Sequence, residues 1–218
     1  MAEDRTRKPS GKGGVGVVLL EACRIEHQCC FELTLAALDR PGLFATLAGA
    51  ISLHGLDIHS AEVFTWTDGT AMDVFQVSEP QDALFPDEAF ARIGRSASYA
   101  LQGKLDLEFR LAERRNSPLV RQRKTPPFTA SVTVDNRASD FHTLVEVKAT
   151  DRLGLLYDIA SAISRQGADI QLARIGTAQG RVADIFYVRE PDGRKIEEPD
   201  RIAAIEAALL AAAQGDRA

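Results

Sequence analysis

Cysteine, tryptophan and methionine are scarce: three, one and two among 218 residues. Three cysteines, two of them adjacent at Cys29 and Cys30, make a poor disulfide framework and point to a cytoplasmic setting. No run approaches about 18 consecutive apolar residues, so no membrane span is expected. The start, Met1-Ala2-Glu3-Asp4-Arg5, carries acids and lacks the apolar stretch and cleavage site of a secretion signal. Positive charge is not in excess, because 26 lysines and arginines face 31 aspartates and glutamates, a formal charge of −5. A general nucleic-acid binder looks basic, so none is expected. What is present is ordinary globular material, 45% hydrophobic and 26% charged. The length suits one or two domains with cores of their own.

The chain repeats itself. Displaced by 112 positions, Leu38-Asp39-Arg40-Pro41-Gly42-Leu43-Phe44 falls on Thr150-Asp151-Arg152-Leu153-Gly154-Leu155-Leu156. Ala50-Ile51-Ser52 falls on Ala162-Ile163-Ser164, and Gly55-Leu56-Asp57-Ile58 on Gly167-Ala168-Asp169-Ile170. After one deletion near Asp68 the displacement becomes 111, and Asp73-Val74-Phe75 falls on Asp184-Ile185-Phe186. Ordered matches with a single gap mean two copies of one module.

Each copy opens with alternating apolar and polar residues, 31–35 and 144–148, the period of a half-buried strand. Leu43, Leu47, Ala50 and Ile51, like Leu155, Ile159, Ala162 and Ile163, then recur at helical spacing. Gly55 and Gly167 sit where such helices stop. Strands over 58–65 and 170–177, a turn at Asp68-Gly69 or Gly180, returning strands over 71–77 and 182–188, and second helices around 87–101 and 199–213 complete the modules. One more strand makes a ferredoxin-like sandwich, and the alternating segments 18–23 and 130–135 place it ahead of each module. The expected fold is therefore α+β, two ferredoxin-like (βαββαβ) modules in tandem. The expected division is a flexible tail over 1–14, modules over 15–113 and 129–214, a basic linker over 114–128, and a tail over 215–218.

The turn before each first helix carries the chemistry. Pro41 suits a first helical position, and Gly42 and Gly154 let a ligand approach the backbone. Helix amides at such a start attract an anion. A carboxylate of a small amino acid fits there, with Asp39 and Asp151 accepting from its ammonium. Turn chemistry by itself also accounts for every residue of Asp39-Arg40-Pro41-Gly42.

This pattern, a strand, Asp-Arg-Pro-Gly-Leu-Phe, an apolar helix, Gly-x-Asp-Ile and Asp-Val-Phe-x-Val, resembles an ACT domain. Val134-Asp135-Asn136-x-x-Ser139, Asp151-Arg152-x-Gly154-Leu155-Leu156-Tyr157-Asp158, Ala183 to Val188 and Gly193-Arg194-Lys195-Ile196 are similar to the tandem C-terminal ACT modules of bacterial protein-PII uridylyltransferases. The resemblance covers roughly residues 28–214. It implies an amino-acid sensor, glutamine above all, with Asp39, Arg40, Gly42, Leu43, Phe44, Asp151, Arg152, Gly154, Leu155 and Leu156 around the ligand. It also implies regulation of PII signal-protein uridylylation through a larger enzyme, and dimerisation through sheet edges. Leu153 departs from the family's turn proline, and Gln171 and Leu172 from the more polar residues of the first copy. The two turns are therefore expected to differ in affinity, or one alone to bind.

No catalytic residue, cofactor or metal is expected. His27, His54, His59 and His142 are isolated and no His-Asp dipeptide occurs, so the phosphohydrolase and nucleotidyltransferase domains of those enzymes are not expected within this chain. Gly11-Lys12-Gly13-Gly14-Val15-Gly16 lacks the Lys-Ser/Thr of a phosphate loop. Cys23, His27, Cys29 and Cys30 match no zinc spacing. Asp73 and Asp184, one per module, are expected at strand positions facing solvent or a turn. A stand-alone tandem that only holds chains together is the alternative function.

Overall fold

The computed structural model describes residues 16–26, 28–80, 84–118, 128–178 and 180–215. The expected tail over 1–14 and the linker stretch over 119–127 lie outside them. In chain order the elements are β1 (Leu19–Arg24), β2 (Cys30–Leu38), α1 (Leu43–Leu53), β3 (Ile58–Thr65), β4 (Thr70–Ser78), α2 (Pro86–Leu101) and α3 (Leu107–Arg115). They continue with β5 (Ser131–Asp135), β6 (Thr143–Thr150), α4 (Leu155–Arg165), β7 (Asp169–Arg174), β8 (Thr177–Ala178), β9 (Arg181–Arg189) and α5 (Pro199–Gln214).

The fold is α+β, and each module is a ferredoxin-like sheet in which the fourth strand, usually the last, leads. β1 pairs with β2 and β5 with β6, both antiparallel, so the alternating segments ahead of the repeats are strands. The sheet order is β1-β2-β4-β3-β7-β9-β6-β5, with β8 paired to β9. The modules join at its centre, where Ala61 faces Ala173 and Glu62 faces Leu172 across β3 and β7. Inward residues of β2 (Leu33, Leu35) and β4 (Phe75, Val77) are fully buried, as are Val145, Val147, Phe186 and Val188 of the second module. This alternation, unbroken along β6 and β9, locks register, because a slip of one residue would turn the apolar set to water.

The helices also meet across the seam. Gly49 of α1 lies against Tyr157 of α4, and a Cβ there would stand 2.6 Å from Tyr157 Cδ2 and 3.3 Å from Leu107 Cδ1. Gly49→Ala should therefore push the modules apart at this crossing and cost about 1–3 kcal/mol, measurable as a lower urea midpoint. An unchanged midpoint would mean that the tyrosine ring swings away freely.

Two features depart from the sequence expectation, and a third adds to it. Arg114 and Arg115 belong to the last turn of helix α3, not to a linker. Asp106 caps that helix by accepting from Phe109 N at 2.9 Å, and the two arginines suit its negative end. The second module's middle strand breaks at Ile175-Gly176, leaving β7 short and β8 separate. The residues that carried the finer resemblance form a clasp. Asn136 Nδ2 donates to Ile196 O at 2.8 Å, Thr143 Oγ1 to Asn136 Oδ1 at 2.7 Å, and Ile196 N to Thr143 Oγ1 at 2.9 Å. Lys195 Nζ donates to Ser139 O at 2.9 Å. The motif thus pins the segment before α5 to the β5–β6 connection.

Candidate functional site

The two turns are built alike. Asp39 N donates to Gly69 O at 2.8 Å and Asp151 N to Gly180 O at 2.9 Å, so each hairpin glycine holds the turn beside it. Gly42 (φ 78°) and Gly154 (φ 73°) are left-handed N-caps, a conformation that strains any other residue. Leu43 N and Leu155 N donate to Arg40 O and Arg152 O, each at 3.1 Å. The next amides, Phe44 and Ala45 in the first module, are among those a helix start leaves without an internal acceptor. Leu43, Phe44, Leu155 and Leu156 are buried, and Phe44 stacks on Phe75 with ring centroids 5.5 Å apart. They shape the helix start from below.

Arg40 and Arg152 each make a structural contact within their own module. Arg40 Nη1 donates to Leu101 O at 2.8 Å, and Arg152 Nη2 to Ala212 O at 2.7 Å. Each guanidinium binds a carbonyl in the last turn of its module's second helix, where a cation is favoured. They tie the turn to α2 and α5.

The surroundings of the turns differ sharply. Asp39, Arg40 and Pro41 are exposed and Gly42 half-buried, and a Cβ on Gly42 would meet only Ser164 Oγ of α4, at 3.4 Å. Gly154 is buried, and its Cβ would meet Arg115 Nη2 at 3.1 Å and Leu111 at 3.5 Å. Arg115 Nε donates to Leu153 O and Nη2 to Asp158 Oδ2, both at 3.0 Å. Arg152 Nη1 reaches the same oxygen at 2.5 Å. Helix α3 therefore covers the second turn, while the first faces the seam between modules. Leu111 and Arg115 lie outside the repeat, so a repeat comparison could not reveal them. Their signal was the Leu107/Leu111 spacing behind the Asp106 cap.

Asp73 and Asp184 correct the expectation that they face solvent or a turn, since each is only 1% exposed. They occupy the inward phase of β4 and β9 with Phe75 and Phe186, which the repeated Asp-x-Phe already spelled out. Asp184 Oδ1 accepts from Gly176 N at 3.1 Å, an amide freed by the break between β7 and β8. Burial pushes its carboxyl up to about 7. In the first module β3 runs unbroken past the corresponding position, and neither oxygen of Asp73 has a hydrogen-bond partner among the described residues. Burial first, then the nearby Asp39 and Asp169 carboxylates, push Asp73 well above the ordinary range. Burial also raises Asp169, at the start of β7, and Asp39 adds to the shift.

Among the described residues no group of three or more histidine, cysteine or carboxylate side chains converges as a metal site. Cys23 and Cys29 are exposed and Cys30 is buried, while His27 lies outside the described residues. His54 Nε2 meets Ser96 Oγ at 2.9 Å beside α3, and burial, then Arg114, lowers it to about 4. None of the described helices is long and apolar enough to cross a membrane.

Two modules of this architecture, each with a glycine-capped strand-to-helix turn, define a tandem of ACT-like regulatory domains. Residues 131–213 match the family of ACR9-like, ACT-like domains. Over 209 residues, 95% of its length, the chain is 36% identical to the bifunctional uridylyltransferase/uridylyl-removing enzyme of Gluconobacter oxydans. The enzyme of that name from Rhodospirillum rubrum is 38% identical over 89% of the chain, and that from Bradyrhizobium diazoefficiens 38% over 86%. The chain spans about a fifth of the length of these relatives, 21%, 21% and 20%. Aspartate kinase from Synechocystis shares 15% identity, with a TM-score of 0.40 over 83% of this chain and 26% of that one. The particular ACT tandem that this chain resembles is the regulatory region of the uridylyltransferase/uridylyl-removing enzymes.

Proposed function

We propose that this chain senses a small amino acid, glutamine foremost, and regulates a protein-PII uridylyltransferase-like activity in the cytoplasm. The observation that carries the reading is the first turn. A left-handed glycine cap, half-buried beside an exposed Asp39-Arg40-Pro41 and with only Ser164 Oγ close to it, stands at the seam where α4 of the other module approaches. A ligand bound there touches both modules, so its affinity depends on how they pack. That dependence is what a ligand needs to shift a conformational equilibrium. In a larger enzyme such a shift would bias uridylylation of the PII signal protein against its reversal.

Calorimetric titration with the twenty amino acids tests the reading, and heat with glutamine is the expected result. Gly42→Ala should weaken binding through its positive φ, which costs an alanine about 1–2 kcal/mol. Gly154→Ala, under α3, is the comparison. Absence of heat with every amino acid removes the sensor reading, and binding indifferent to both substitutions removes the turns as its site.

One observation favours the alternative of a module that only joins chains. The tandem already pairs sheet edges at β3 and β7, and β1 and β5 end the sheet at either side. Such edges invite a second copy. A dimer whose mass in solution ignores glutamine would favour that role.

A further inference from the structure

We propose that Asp73 is the residue that selects an ammonium group at the first turn, a role that rests on the amino-acid reading above. The position follows from register. Phe75 lies under Phe44 in the first turn of α1, and Asp73 is the next inward residue of β4 toward the end where Leu38 pairs with Thr70. It therefore sits beneath the Asp39–Gly42 turn. Asp39 and Asp169 are the carboxylates that act on it, one from the turn and one from β7 of the other module.

A carboxyl that is 1% exposed with both oxygens unpartnered is costly. Buried polar groups are nearly always hydrogen-bonded, and an orphan of this kind calls for a missing partner. The carboxylates of Asp39 in the turn and Asp169 in β7, beside the Asp73 carboxyl, make surroundings that suit a cation and repel an anion. A primary ammonium carries three donors, enough for both Asp73 oxygens and one neighbour. Its charge restores the ionised form of Asp73 when it arrives. The second module shows the contrast: Asp184 has its donor in Gly176 N, and α3 covers the turn above it. The ligand class at the first turn is thus a molecule with a free amino group, and Asp184 plays no part in choosing it.

The experiment measures affinity for L-glutamine, or for whichever of the twenty amino acids binds most tightly, and for its analogue lacking the α-amino group. The parent protein should lose about tenfold or more for the analogue, as expected for a hydrogen bond to a charged group. Asp73→Asn should weaken the amino acid by a similar factor and bind amino acid and analogue nearly alike. Asp184→Asn should leave both affinities unchanged. Thermal unfolding of Asp73→Asn should show a melting temperature no lower than the parent's, so weak binding would not report a damaged fold. Equal affinity of the parent for amino acid and analogue overturns the proposal without any variant. An unchanged affinity in Asp73→Asn overturns it too, and leaves the amino-acid reading standing. Absence of binding by all twenty overturns both.

Discussion

At pH 9 the Asp184→Asn protein is expected to be about 4 kcal/mol more stable than the parent, with the difference fading to nothing near pH 4. In the unfolded chain this carboxyl ionises near 3.8, while in the fold it keeps its proton up to about 7. Between those values the unfolded state binds fewer protons, so the parent loses stability as pH rises and levels off above about 7. About three units at about 1.4 kcal/mol each give the expected gain. Asparagine keeps an oxygen for Gly176 N and never carries the charge. His54 works in the opposite sense: its folded value of about 4 lies below the ordinary 6.5, so its contribution is lost as pH falls through that window. It is common to both proteins and cancels in the difference. Urea unfolding at pH 4, 7 and 9 reads the result. No gain at pH 9 would show that Asp184 is ionised in the fold without penalty, and an equal gain at all three values would show that its ionisation is not the cause.

Asp184 also marks where the sequence was legible and where it was misread. The repeat disclosed both modules, their strand and helix order and the leading strands, because period-two and period-3.6 patterns were strong and each occurred twice. It placed the turn beside each helix start, but read Pro41 as the first helical residue, whereas the left-handed Gly42 caps a helix that begins at Leu43. It failed where tertiary context overrode residue type. An aspartate within Asp-Val-Phe reads as a surface residue by polarity, yet the alternation of β4 sends it inward with Phe75. Arg40 and Arg152 had no predicted partner within the chain, yet their length carries them to Leu101 O and Ala212 O. The near-identity of the two turns also hid how differently they are used, because the cover on Gly154 comes from a helix that has no counterpart in the repeat.

That helix supplies the second large effect. Leu111→Asp should detach α3 while leaving both sheets folded. Nine residues are too few to hold a helix in water, so α3 persists only while docked. Its docking rests on Leu107 and Leu111, 5% and 1% exposed, and on two arginines that donate to carbonyls left over at α1 and at the second turn: Arg114 to Leu53 O and Arg115 to Leu153 O. Truncating a buried leucine alone costs about 2–5 kcal/mol, and an unpaired carboxylate in its place costs more. The loss falls on a local unit, because the strands on either side are held by their own ladders and cores. Hydrogen exchange should then show residues 107–115 exchanging freely while β4 and β9 stay protected. With Arg115 withdrawn, Gly154 and Asp158 lose their cover and the second turn becomes as open as the first. Phe109→Asp, on the 63% exposed face of the same helix, should shift stability by no more than about 0.5 kcal/mol and leave α3 protected. Protection of α3 that survives Leu111→Asp, or loss of protection in β4 and β9 together with it, would mean that α3 is part of one cooperative core and not a separable cover over the second turn.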